Sequence, residues 1–199
     1  MPHERPILLD IPERFVGERV IARPFSDDDA VQVHDAVQES IEHIRPWLPW
    51  YDTHGSLDDT REYIRNTVGR WMLREGLEMG IFSRDDGTFL GGIGLHIRSW
   101  AIPAFEIGYW VRQSAEGHGY VSEATRLLTT FAFEGLGARR VMIRCDARNT
   151  RSAAVPQRLG YVLEGALRCD GLDTTGQPRD TLIYAMIRDD YERARTAWP

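Results

Sequence analysis

The segment Arg112 to Val121, RQSAEGHGYV, holds the residue types best suited to grip an anion. Gly117 and Gly119 flank His118 just ahead of a stretch with helical character, and small residues there let consecutive backbone N–H groups converge on one point. The positive end of the helix dipole adds to them, so the loop suits phosphate oxygens. No GK[ST] follows and GxGxxG is incomplete, which excludes a P-loop and the dinucleotide fingerprint. A plain glycine turn entering a helix explains the same residues. Asn149 and Ser152, three apart before a second helical stretch, are residue types preferred as helix caps, and a cap alone explains either. Cys145 and Cys169 lack CxxC spacing and a nearby His pair, so the expected reading is reduced thiols, with no disulfide scaffold and no metal.

These residues need elements to position them. Val20 to Phe25 reads as a strand, and Ser26 with Asp27 to Asp29 supplies the cap and first-turn acids of a helix running to about Ser40. Tyr63, Ile64, Val68, Trp71 and Met72 recur at helical spacing between Leu57 and Glu75. Strands follow at Glu78 to Phe82, Phe89 to Arg98 and Phe105 to Val111, the first two joined by an Asp85-Asp86-Gly87 turn. Glu123 to Leu136 is helical and ends at Gly135 and Gly137. Val141 to Cys145 is a strand, Ser152 to Leu159 a short helix, and Tyr161 to Cys169 and Thr181 to Ile187 are closing strands joined by a long polar loop. This order, β α α β β β α β α β β, predicts an α+β sheet with helices on both faces.

Composition narrows the class. A chain of 199 residues with 42% apolar and 27% charged residues predicts one globular domain spanning 1–199, without repeats, a linker or a disordered tail. No apolar run reaches 18 residues, and the first 15 lack the pattern of a signal or transit peptide, so the expectation is a cytoplasmic protein with no membrane partner. The formal charge of -6 argues against nucleic acid as a partner and favours a cationic one such as an amine.

Glu106-Ile107-Gly108-Tyr109-Trp110-Val111, Glu116-Gly117-His118-Gly119-Tyr120, Glu123-Ala124, Asn149-x-x-Ser152, Arg158-Leu159-Gly160-Tyr161 and Glu164-Gly165 follow one another at fixed spacings. In this the chain resembles the GNAT N-acetyltransferases, and specifically the RimJ/RimL branch, over roughly Val20 to Asp189. Trp47-Leu48-Pro49-Trp50 is similar to that branch's aromatic segment before the second helix. The resemblance implies the GNAT acyl-CoA N-acyltransferase fold: a mixed, mostly antiparallel sheet of about seven strands, splayed between strands 4 and 5. It implies acetyl-CoA as co-substrate, no metal, and a primary amine as acceptor. That acceptor is a protein N-terminus, such as a ribosomal protein's, or a small amine such as a polyamine or aminoglycoside.

By the same resemblance, Val111 and Arg112 lie where backbone groups meet the pantetheine arm, and Gly117, His118, Gly119, Tyr120 and Val121 fall on the pyrophosphate loop. The family's Q/R-x-x-G-x-G/A becomes Glu116-x-x-Gly119-x-Val121, and His118 replaces the usual basic residue. Phosphate must then be held by main-chain amides, with Arg112 or Arg151 supplying charge, while His118 is a phosphate contact or a base. Asn149 is implied to contact pantetheine and Ser152 to sit near the sulfur. Where many members place a Tyr acid, this chain has Pro156, so Ser152 or a water must protonate the thiolate. Pro156 also leaves the Ser152 carbonyl without its helical donor.

Glu106 is the first candidate base, on the strand face shared with Gly108 and Trp110; the alternative is an ion pair with a neighbouring Arg. Asp170 and Asp173 are second candidates, against ordinary loop acids. Trp47, Trp50 and Tyr51 either line an acceptor groove or pack the core, and Tyr109 and Trp110 support the strand. Exposed aromatics make a homodimer conceivable. A cleft that binds acyl-CoA without turnover, a sensor, is the rival class.

Overall fold

The computed structural model describes residues 5–48 and 54–198. Two short strands open it, β1 (Phe15–Val16) and β2 (Val20–Arg23). Ser26 and Asp29 then form a capping box around a single 3-10 turn, the Ser26 amide donating to Asp29 Oδ2 at 2.7 Å. Helix α1 (Ala30–Ile44) runs four residues past its predicted end. Ser40 does not break it, because its hydroxyl donates to Ala36 O at 2.6 Å within the helix. Helix α2 (Leu57–Leu73) starts from a second capping box, Ser56 with Asp59, and stops at Arg74 in the left-handed region.

The sheet continues through β3 (Leu77–Ser83), β4 (Phe89–Ser99) and β5 (Ala104–Val111). Then come α3 (Tyr120–Glu134), β6 (Arg140–Asp146), α4 (Thr150–Arg158), β7 (Val162–Leu172), β8 (Pro178–Ile187) and α5 (Arg188–Ala194). Eight strands lie in the order β1-β2-β3-β4-β5-β6-β8-β7, one more than expected because two residues at Phe15 pair with Ile21 and Ala22. The expected long loop between the closing strands shrinks to residues 173–177. Asp173 Oδ1 accepts from Thr175 N, Thr175 Oγ1 and Gln177 N, which closes a tight turn.

Side-chain alternation divides the core in two. Met79, Ile81, Ile93, Leu95 and Ile107 face Ala124, Leu128 and Ala132 of α3. Phe82 and Phe89 point the other way, onto Val33 and Ala36 of α1 and Ile64 of α2. Each of these large side chains, once fully buried, contributes about 1.5–3 kcal/mol.

Every neighbouring pair of strands is antiparallel except β5 and β6, whose parallel ladder needs the α3 crossover. That ladder is three residues long, Ala104↔Arg140 to Glu106↔Met142. Beyond it the two strands part. Two devices hold β5 in place on its other side. Gly91 of β4 (φ 156) faces Val111, and a Cβ on it would come 2.3 Å from Trp110 O. Arg112, just after β5, pairs with Glu39 of α1, which also accepts from the Ser114 amide at 2.8 Å.

Gly91→Ala should therefore cost about 2 kcal/mol or more, read as a fall in Tm of about 4–8 °C; an unchanged Tm would show that the strand end tolerates a side chain. The Arg112 guanidinium beside Glu39, helped by Ser114 and opposed by burial, holds its carboxyl at about 2. A carboxyl lower in the folded chain than its unfolded value of about 4.3 contributes fully above that pH and fades as pH falls towards about 2. The stability gap between wild type and Glu39→Gln should thus narrow over that window in acid titrations. A gap independent of pH would contradict the pairing.

Candidate active site

The parting of β5 and β6 leaves backbone groups to account for. The Arg112 amide donates to Leu90 O on β4 at 2.9 Å. Amides alternate along a strand, so those of Trp110 and Gly108 also face β4. Those of Tyr109 and Val111 face the gap that β6 has left, with no strand partner on that side. The gap opens into a cleft of about 1630 Å³. This exceeds the roughly 300–1,000 Å³ of an ordinary small-ligand pocket, and so leaves room for an extended ligand and a second substrate together.

One wall is the glycine loop. Gly117 (φ 76) and Gly119 (φ 80) take the left-handed conformation, and a Cβ on Gly117 would meet nothing within 4 Å, so the loop is open above it. Gly119 is the N-cap of α3 and offers no side chain, which leaves the first-turn amides of a 15-residue helix without a side-chain cap. Glu123, in that first turn and buried, would repel an anion if left alone. Arg19 neutralises it: its amide and Nε donate to the carboxylate at 2.9 and 3.0 Å, and its Nη1 donates to His118 O at 2.9 Å. The Arg19 guanidinium also lies over the Tyr120 ring, which stacks on His118.

The two arginines expected to supply charge to the loop are otherwise engaged. Arg112 is held by Glu39 and by Phe89 O at 3.2 Å. Arg151 donates to Glu116 Oε2 at 3.0 Å, and His43 of α1 meets the other oxygen of Glu116. Glu116 thus ties α1 and α4 to the loop.

The opposite wall is α4 and β6. Asn149 is the N-cap of α4, its Oδ1 accepting from the Ser152 amide at 3.0 Å, and both residues line the cleft. Pro156 sits inside α4 and has no N–H for the Ser152 carbonyl. The Tyr109 hydroxyl donates to that carbonyl at 2.9 Å, while Ser152 Oγ lies 3.4 Å from the same hydroxyl. Burial, against the pull of Ser152, pushes the Tyr109 phenol above its ordinary value. Burial likewise raises the thiol of Cys145, which lines the cleft nearby; Cys169 is exposed.

Sequence reading missed Tyr109 as a partner of Ser152, although the orphaned carbonyl opposite Pro156 was the signal that could have found it. Arg19 gave no such signal, being 104 residues from Glu123.

Glu106, Gly108 and Trp110 share the face of β5 turned to α1 and α2, away from Tyr109. Glu106 lines the cleft, and its Oε2 accepts from Arg98 Nε and Nη2 at 3.0 and 2.5 Å. Asp170 and Asp173 are held elsewhere: Asp170 by Arg144 at 2.5 Å, and Asp173 by its own turn and by Arg148 at 3.2 Å. Hydrogen bonds from Thr175 and Gln177, with Arg148 behind them, hold the Asp173 carboxyl well below the usual range. Trp47 and Leu48 line the cleft at the end of α1. Trp50 and Tyr51 lie outside the described residues. Among the described residues no group of three or more His, Cys, Asp or Glu is placed to hold a metal.

Comparison with known proteins matches residues 19–162 to the acetyltransferase (GNAT) domain. YdaF of Bacillus subtilis is 32% identical over 181 residues, 89% of this chain and 96% of that protein. The ribosomal-protein-serine acetyltransferase of Escherichia coli is 30% identical over 153 residues, 77% of this chain and 84% of that protein. Among solved structures, the RimL ribosomal L7/L12 α-N-protein acetyltransferase in complex with coenzyme A superposes with a TM-score of 0.81 at 24% identity, covering 89% of this chain and 99% of that one. The chain belongs to the GNAT family of acetyltransferases, enzymes that move acetyl from acetyl-CoA to an amine.

Proposed function

We propose that this chain acetylates a protein N-terminal α-amine, with a ribosomal protein as the acceptor class, by direct attack within a ternary complex. The carrying observation is the pair of unpartnered amides, Tyr109 and Val111, aimed into a cleft beside an open glycine loop. The acceptor class rests on the names of the relatives, and for the same reason we place the reaction in the cytoplasm.

Bound acetyl-CoA supplies the activated acetyl group as a thioester. The loop 117–121 and the α3 N-terminus hold its phosphates through main-chain N–H groups. The Tyr109 amide donates to the carbonyl oxygen, where charge grows as the amine attacks, in an environment that needs no reorganisation, and the Val111 amide, about 7 Å further along the strand, is left for the pantetheine arm. Asn149 fixes the start of α4 and so the position of Ser152, whose hydroxyl supplies a proton to the sulfur as it leaves. A strong acid is not required there, since a thiol has a reference pKa of about 8.5.

The amine must enter from the other face of β5, because α3, α4, Tyr109 and Ser152 fill the near one. An α-amine, with a pKa near 7.8 against 10.4 for lysine, costs about 3.5 kcal/mol less to deprotonate at neutral pH. The paired Glu106 therefore suits it better than a lysine, which would demand a strongly perturbed base. A homodimer belongs to this reading as well: β7 is exposed along nearly its whole length, with Val162, Leu163 and Leu167 bare. Light scattering should give a mass near two chains; a monomer at high concentration removes the dimer.

Thiol release from acetyl-CoA tests the central reading, and the chain contains no lysine, so its own ε-amines cannot take up label. Peptides with a free N-terminal Ser or Ala should be acetylated, and the same peptides with a blocked N-terminus and an internal lysine should not. Polyamine turnover without peptide turnover would make the acceptor a small amine, and coenzyme A binding without any thiol release would make the chain a sensor. Asn149→Ala and Ser152→Ala should each lower kcat by about 10²-fold or more, with Tm little changed in Ser152→Ala and lower by about 2–6 °C in Asn149→Ala, which loses the α4 cap. Full turnover in either variant removes that residue from the mechanism.

A further inference from the structure

Directly across from Glu106, on the acceptor face, β4 carries His96. A Cβ built on Gly108 would lie 3.1 Å from His96 Nε2, and one on Gly94 would lie 3.3 Å from His96 Cε1. The imidazole therefore leans over two glycines, with Nε2 nearest Gly108, the residue just before the Tyr109 amide. Its other nitrogen, Nδ1, is 3.5 Å from Glu78 Oε1 on β3. Glu78 is itself nearly buried and is anchored at the same oxygen by Arg70 Nη1 of α2 at 2.9 Å. The ring keeps 37% of its side-chain surface open to solvent.

We propose that His96 is the general base that takes the proton from the attacking amine, with Glu78 as the positioning residue that orients its ring. The assignment rests on the transferase reading above and differs from it in naming the base. Geometry comes first. The Tyr109 amide marks where the thioester carbonyl oxygen sits, and the amine must arrive on the face of β5 away from α3, beside the ring that covers Gly108. His96 Nε2 is the titratable nitrogen above that residue. Glu106, the carboxylate the sequence nominates, has one oxygen committed to Arg98, and its role becomes electrostatic, opposite an imidazole that gains charge.

Proton affinity points the same way. Imidazole at about 6.5 lies about 1.3 pK units below an α-amine at about 7.8, whereas an ordinary Glu at about 4.3 lies about 3.5 below it. In the step itself, the nitrogen lone pair forms the C–N bond and the C–S pair departs on sulfur. One N–H proton passes to His96 Nε2, and the thiolate takes a proton from Ser152 or water. The imidazolium then returns its proton to solvent.

The charged and titratable groups around the ring are Glu78 on β3, Arg98 beside it on β4, Glu106 on β5, and Arg70 and Tyr63 on α2.

The test is kcat/KM for an N-terminal peptide from pH 5.5 to 9 at saturating acetyl-CoA, in wild type, His96→Asn, His96→Gln and Glu78→Gln. Both His96 variants should lose 10²-fold or more and the acidic limb of the profile, with KM for acetyl-CoA and Tm unchanged. Glu78→Gln should keep that limb, with a smaller loss in kcat/KM. His96 variants within about twofold of wild type, or with the acidic limb intact, overturn this assignment and leave the transferase reading standing. Wild-type protein that releases no thiol with any amine overturns both.

Discussion

The structure turns on the parting of two parallel strands. A buried main-chain N–H needs a partner, and a sheet normally supplies one at every position. Here β5 and β6 pair for three residues and then diverge, so Tyr109 and Val111 face a gap with their amides unspent. Everything around the gap keeps it open and aimed. Gly91 lets the β4 backbone close on Trp110 and Val111, the Glu39–Arg112 pair fixes the chain where it leaves β5, and α3 carries it over to β6.

The gap also explains why the cleft has two chemically different sides. Alternation along β5 sends Tyr109 towards α4 and sends Glu106, Gly108 and Trp110 towards α1 and α2. On the first side Pro156 withholds an N–H, the Ser152 carbonyl is freed, and the Tyr109 hydroxyl takes it. This ties strand to helix across the opening. On the second side Glu106 lines the cleft, His96 stands across the strand pair from it over Gly94 and Gly108, and Glu78 lies behind His96. A reaction that removes a proton from one reactant and returns one to another suits a strand with opposite surroundings on its two faces.

Much of this was legible in the residues. The first helix announces itself through the Ser26 cap, the second through the spacing of Tyr63, Ile64, Val68, Trp71 and Met72, and the strands through alternation, because these signals are local. The glycine loop and the Asn149-x-x-Ser152 spacing are local as well, and the structure brings both to one cleft. What resisted reading depends on contacts between distant segments. Nothing near Arg112 in the sequence shows that α1 brings Glu39 beside it. Asp170 and Asp173 read either as second candidate bases or as ordinary loop acids, and the long hairpin and its tight turn bind them to Arg144 and Arg148. Arg19, far upstream, turns out to be a cation beside the loop, and His96 gains meaning only once β4 is laid against β5.

If the gap in the sheet is the cofactor's seat, its amides must find their partner when the ligand arrives. Hydrogen exchange read by mass spectrometry, with and without coenzyme A, follows those amides directly. The account predicts slowed exchange across residues 107–121, centred on Tyr109, Val111 and the Gly117–Val121 loop, with little change in β2 and β3. Unaltered exchange over 107–121 at saturating coenzyme A, or protection confined to another part of the chain, would contradict it.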